Sequence, residues 1–175
     1  MELHRTLPDE RRFIRHLYRE AFPAQERKPF WRIRRQERSG ILSMMTMVHE
    51  EVPVGFVMTV RGKHLVLVDY LAVAPQYRGR GFGTQALRSL QRQYPVPLFL
   101  EIERPEEGAD NQAQRLARHA FYTRCGFSDA GVDLRVFGVR MMLMTTAEHL
   151  RFADCIPVYE QGYGRYFRRY VREDV

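Results

Sequence analysis

The alternation of apolar and polar residues divides the chain into short, well-marked segments. Phe13, Ile14, Leu17 and Tyr18 form a stripe at helical spacing, preceded by Thr6-Leu7-Pro8-Asp9, which fits a capping box. Pro23 closes that helix, and Pro29 opens a second, shorter one through Phe30, Trp31 and Ile33 that ends near Gly40. Three strand-like runs follow, Ile41 to His49, Val54 to Arg61 and His64 to Val73, with Glu50-Glu51-Val52-Pro53 and Gly62-Lys63 between them. Such short turns predict an antiparallel meander. The third run is almost wholly apolar, as a central buried strand should be.

Beyond it the pattern becomes strand, helix, strand. A glycine-rich turn leads into a helix with Ala86, Leu87 and Leu90 on one face, and Pro95 and Pro97 end it before a strand from Leu98 to Glu103. A polar loop, Arg104 to Asp110, precedes a helix through Phe121 and Tyr122 that Gly126 closes. Two further strands are expected near Phe127–Leu134 and Val136–Met144. In the tail, Tyr159, Tyr163, Tyr166, Phe167 and Tyr170 suggest a terminal helix docking an aromatic face, although Gly162 and Gly164 weaken it. The sum is an α/β domain with a mixed sheet.

At 175 residues and 45% hydrophobic content the chain has the size and composition of one globular domain, 1–175, with a core to about 145 and an extension after it. No apolar run approaches the roughly 20 residues of a membrane span, and the N-terminus lacks a signal-peptide pattern, so a cytoplasmic location is expected. Two cysteines, Cys125 and Cys155, fit a reducing compartment, and six unpaired histidines point to no metal. The net charge is +7, carried by 26 arginines and two lysines, Lys28 and Lys63. Their spread along the chain suits a solvated surface better than a nucleic-acid face.

The most informative stretch is Arg78-Gly79-Arg80-Gly81-Phe82-Gly83-Thr84, directly after the buried strand. Glycines let the backbone turn tightly, and a helix that starts here turns its unpaired N–H groups toward one point, a setting suited to a pyrophosphate. Arg78 and Arg80 add charge-assisted donors. A P-loop would need Gly-Lys before Ser or Thr, and the dinucleotide fingerprint would need glycine where Thr84 stands.

Arg78-x-x-Gly81-x-Gly83, after Leu71-Ala72-Val73-Ala74-Pro75, instead resembles the acetyl-CoA-binding motif of the GNAT family of N-acetyltransferases. About 40 residues later, Phe121-Tyr122-Thr123-Arg124-Cys125-Gly126-Phe127 resembles the family's FYxxxGF segment, and Ala21-Phe22-Pro23 through Glu26-Arg27-Lys28-Pro29-Phe30 resembles a stretch of some uncharacterised bacterial members. The resemblance covers roughly residues 1 to 145. It implies a mostly antiparallel sheet of six to seven strands, splayed between the fourth and fifth and flanked by helices, with a C-terminal helical extension. It also implies that Leu71 and Val73 pair through their main chains with the pantetheine arm of acetyl-CoA. Arg78, Gly79, Arg80, Gly81, Phe82, Gly83 and Thr84 would hold the pyrophosphate. Arg115 stands where the family commonly has Asn.

By the same resemblance Tyr122 is the general acid. A carboxylate must accept the ammonium proton or attract the amine, and three residues qualify. Asp69 interrupts an apolar strand, while Glu101 and Glu103 share one face of the next. The catalytic set is thus Tyr122, Glu101 and Asp69, with Glu26 and Glu103 as further acceptor-binding candidates. The expected activity is transfer of acetyl from acetyl-CoA to a primary amine on a small molecule or protein. A homodimer is left open, and membrane and nucleic acid are not expected partners. The alternatives are a non-catalytic acyl-CoA sensor and a basic nucleic-acid-binding module.

Overall fold

The computed structural model describes residues 1–174. It divides into two compact units, Met1–Arg61 with Val68–Pro95, and Gly62–Leu67 with Val96–Val175.

The first unit contains β1 (Glu2–Arg5), α1 (Arg11–Ala21), a 3-10 turn (Ala24–Glu26), α2 (Phe30–Arg38), β2 (Leu42–His49), β3 (Val52–Arg61), most of β4 (Val66–Val73) and α3 (Phe82–Gln93). Its strand order is β1-β2-β3-β4, with β1–β2 and β2–β3 antiparallel. The second unit contains the start of β4, then β5 (Leu98–Glu103), α4 (Gln112–Arg124), β6 (Ser128–Val136), β7 (Val139–Thr145), α5 (Phe152–Tyr163) and β8 (Val171–Glu173). Its order is β4-β5-β7-β6-β8. Val66↔Leu98 and Leu67↔Phe99 are parallel, and the remaining pairs of this unit are antiparallel. The mixed, mostly antiparallel architecture is the one expected.

Eight strands replace the six to seven foreseen. The additions, β1 and β8, are four and three residues long, too short for an alternating pattern to register. Thr6 does not cap α1 either. Glu10 is the N-cap residue, and its carboxylate takes the Leu7 N–H at 2.8 Å, the Thr46 hydroxyl at 2.7 Å and the His4 ring at 2.8 Å. Burial acts to raise its pKa, but the Leu7, Thr46 and His4 contacts together hold it below the ordinary 4.5. In the tail only Tyr159 and Tyr163 of the aromatic series lie on the α-helix, and Phe167 opens a separate 3-10 turn, Phe167–Arg169. Phe167 is buried, and Tyr166 is exposed.

The β2–β3 hairpin turns through two residues, since His49 pairs with Val52. Both Glu50 (φ 51°) and Glu51 (φ 64°) are left-handed, a conformation that favours glycine and asparagine. Pro53 is tolerated early in β3 because the register shifts between Met47 and Val48. Relieving this strain with Glu50→Asn and Glu51→Gly should stabilise the protein by about 1 kcal/mol, read as a higher urea midpoint with an unchanged slope.

Candidate active site

In the first unit, β4 ends at Val73 and the chain passes through a single 3-10 turn, Pro75–Tyr77, into the glycine turn. Gly79 (φ 74°) and Gly81 (φ 79°) are left-handed, and Gly81 is the N-cap of α3. A Cβ at Gly79 would meet nothing within 4 Å, and one at Gly81 only the Gln85 amide nitrogen at 4.0 Å. Backbone conformation, not crowding, therefore demands glycine here. The Gln85 N–H binds the Gly81 carbonyl at 3.0 Å, so the N–H groups of Phe82, Gly83 and Thr84 precede the first intrahelical bond. Arg78, Gly79, Arg80 and Gly81 are exposed, whereas Phe82 and Gly83 are buried and anchor the helix start. The Arg80 guanidinium lies over the Tyr77 and Phe82 rings at 5.7 and 5.5 Å. Converging N–H groups, a helix dipole and two arginines fit a pyrophosphate group.

Main-chain groups of a strand alternate between its two edges. The Ala74 N–H binds the Val54 carbonyl of β3 at 2.9 Å, so the groups of Leu71 and Val73 point away from β3. Arg78 Nε donates to the Val73 carbonyl at 3.1 Å, which leaves the Val73 N–H as that residue's main-chain donor.

Asp69 sits on the same strand, but its carboxylate is enclosed. Lys28 Nζ lies 2.7 Å from Asp69 Oδ2, and the two side chains are only 1% and 2% exposed. The Lys28 main chain is fixed too. Its carbonyl accepts from the Tyr18 hydroxyl at 3.1 Å, and its N–H donates to the Tyr70 oxygen at 3.3 Å. The Tyr70 hydroxyl in turn donates to the Glu26 carbonyl at 3.0 Å. Burial, and then the Asp69 charge, push the Tyr70 phenol far above its ordinary range, so it stays a donor. Glu26 itself is half-buried at the end of the 3-10 turn before Lys28.

In the second unit, Tyr122 stands one turn from the end of α4. The Gly126 N–H binds the Thr123 carbonyl and the Phe127 N–H binds the Tyr122 carbonyl, at 3.0 and 3.1 Å, with Gly126 left-handed at φ 86°. This is a Schellman ending, and its usual apolar contact is the Tyr122–Phe127 ring pair at 5.8 Å. The FYTRCGF segment is thus a helix stop that fixes the Tyr122 ring. Among the described residues the Tyr122 hydroxyl has no hydrogen-bond partner. Burial pushes its pKa up to about 12, with Arg118 opposing and Cys125 and Glu101 adding to the rise.

The two glutamates of β5 differ sharply in their surroundings. Glu103 is held by Arg115 at 3.0 Å, Arg118 at 3.3 Å and the Asn111 amide at 3.1 Å. Arg115, the departure from the family pattern, is a clamp on this carboxylate. Glu101 instead accepts a hydrogen bond from Tyr159 of α5 at 2.6 Å. Lys28 and Tyr159 were not singled out as site residues by sequence reasoning. A lone acid in an apolar strand does signal a missing cation, but nothing in the spacing points from Glu101 to Tyr159. Among the described residues, no group of three or more His, Cys, Asp or Glu side chains is placed to hold a metal ion, and no helix is long and apolar enough to cross a membrane.

The model of the acetyltransferase (GNAT) family matches residues 11–127. No curated protein matches the chain. Several solved structures are similar. One from Bacteroides thetaiotaomicron, assigned to the GNAT family of acetyltransferases, is 22% identical, covering 94% of this chain and 99% of its own, with a TM-score of 0.78. An aminoglycoside 6'-N-acetyltransferase complexed with coenzyme A is 16% identical, covering 86% and 99%, with a TM-score of 0.66. Arabidopsis thaliana Naa50, in complex with a bisubstrate analogue, is 15% identical, covering 83% and 97%, with a TM-score of 0.61. At these identities the likeness is one of fold.

If Asp69 is held structurally, Lys28→Met should destabilise the protein by about 3 kcal/mol, because it strands a buried carboxylate. Adding Asp69→Leu should recover most of that loss in chemical denaturation. A double variant no more stable than the single one would contradict the pairing argument.

Proposed function

The chain belongs to the acetyltransferase (GNAT) family, and on that premise we propose that it transfers acetyl from acetyl-CoA directly to a primary amine. The observation that carries the reading is the exposed, left-handed glycine turn, with the N–H groups of Phe82, Gly83 and Thr84 ahead of the first intrahelical bond of α3. The main chains of Leu71 and Val73, at the edge of β4 away from β3, would hold the pantetheine arm. The amides of residues 78–84, with Arg78 and Arg80, would hold the pyrophosphate. Bound acetyl-CoA supplies an activated thioester, which needs only a correctly placed neutral amine.

Glu101 is the carboxylate we assign to the acceptor amine. Asp69 is neutralised by Lys28 and Glu103 by two arginines, so neither presents an uncompensated charge to a cationic substrate. Glu101 accepts a hydrogen bond from the Tyr159 phenol, a contact that favours a carboxylate's charged form, and we assign it the ammonium proton. Glu26 remains a candidate for lining the acceptor site, and the cytoplasm is the compartment we propose.

Tyr122 acts on the departing sulfur. A phenol near 12 is a weaker acid than a thiol of about 8.5. Its contribution is therefore a hydrogen bond to the charge developing on sulfur, with the amine proton restoring neutrality once the bond has broken. The amine loses one proton and the thiol gains one, so the transfer balances.

Release of free thiol from acetyl-CoA, measured with spermidine, kanamycin and free-N-terminus peptides, tests this reading, with mass spectrometry of the acylated amine. Tyr122→Phe should lower kcat about a hundredfold with little change in KM for acetyl-CoA. Because the phenol stays protonated to about 12, kcat should rise with pH to a plateau and show no alkaline fall below about pH 10. An unaltered kcat in Tyr122→Phe would remove its role.

A further inference from the structure

The C-terminal helix α5 lies outside the stretch that the family model matches, yet it carries the partner of Glu101. Tyr159 is fully buried, and its hydroxyl donates to Glu101 Oε1 at 2.6 Å. Three features make this bond a positioning device rather than an incidental contact. The phenol ring cannot swing, because it stacks on Phe167 at 6.1 Å and 13° and meets Phe99 edge-on at 5.7 Å and 88°. Phe99 precedes Glu101 by two residues and shares its face of β5, so the same strand face carries both the acid and part of the ring's seat. The bond also runs to a carboxylate, and a short hydrogen bond of this kind restricts the rotation of the side chain that accepts it.

We propose that Tyr159 is a positioning residue of the transfer reaction, through which the C-terminal extension orients the Glu101 carboxylate for the acceptor amine. The proposal rests on the reading that Glu101 receives the amine proton. A hydrogen bond donated to a carboxylate favours its charged form, the form that attracts a cationic amine and accepts its proton. The burial of Tyr159, Tyr163 and Phe167 then has a purpose beyond closing the second unit. It holds one hydroxyl in place.

The test is Tyr159→Phe, alone and combined with Glu101→Gln, in the full chain with acetyl-CoA and the same panel of amines. Tyr159→Phe keeps the ring and removes only the donor. It should lower kcat about tenfold while KM for acetyl-CoA and the thermal midpoint change little. In the Glu101→Gln background it should add less than about twofold, because the group it orients has gone. Wild-type kcat in Tyr159→Phe, or a tenfold loss that persists in full beside Glu101→Gln, would overturn the proposal while leaving the acetyltransferase reading intact. Wild-type kcat in Glu101→Gln, or no turnover with any amine, would overturn the underlying reading and the proposal with it. Should Tyr159→Phe unfold early, Phe167→Leu loosens the stack and keeps the hydroxyl. The proposal expects its kcat loss to vanish in the Glu101→Gln background, and a loss that remains would count against it.

Discussion

A buried ion pair constrains the first unit. Asp69 lies on a strand whose neighbours are apolar, and a carboxylate there is tolerable only if a cation reaches it. Lys28 does so at 2.7 Å. Its main chain is bonded to Tyr18 on one side and Tyr70 on the other. The segment between α1 and α2 is thereby pinned to β4 two residues before Leu71. Tyr18 and Phe22 each meet Tyr70 edge-on, with ring centroids 4.8 and 5.0 Å apart. Removing either charge would disturb the strand whose edge precedes the glycine turn. In the function we propose, the pair holds the strand beside the glycine turn, and Glu101 rather than Asp69 receives the amine proton.

Both signature segments turn out to be helix termini, used in opposite senses. At the start of α3, the left-handed N-cap Gly81 sets N–H groups ahead of the first intrahelical bond, where the helix dipole favours an anion. At the end of α4, left-handed Gly126 allows the carbonyls to be paired, so the chain stops cleanly and Tyr122 is held against Phe127. One terminus is where we propose the cofactor sits, and the other is closed and fixes a side chain. The same backbone property of glycine serves each.

Much of this was legible in the sequence, because strong periodicity and turn chemistry survive folding. The strand Leu98–Glu103 has the bounds the pattern indicates, and the helices opened by Pro29 and closed by Gly126 lie where those residues place them. The two shortest strands were not legible, since three or four residues carry no period. The start of α1 is hidden because the Thr6–Asp9 spacing imitates a capping box, whereas the N-cap is Glu10, whose carboxylate bonds back to the Leu7 N–H rather than into the helix. The carboxylates could be found but not ranked. Sequence gives all three the same chemistry, and only the partners Lys28, Arg115 with Arg118, and Tyr159 tell them apart. Those partners lie 12 to 58 residues away, at separations that no local pattern encodes.

The central claim is that the glycine turn at the start of α3 holds the pyrophosphate of acetyl-CoA. Calorimetric titration of the protein with acetyl-CoA tests it most directly, using ATP as a control and Gly81→Glu as the altered turn. Saturable one-to-one binding to the wild-type chain, no comparable binding of ATP, and loss of acetyl-CoA binding in a Gly81→Glu variant that remains folded are the expected results. Undiminished binding in that folded variant, or none in the wild type, would contradict it.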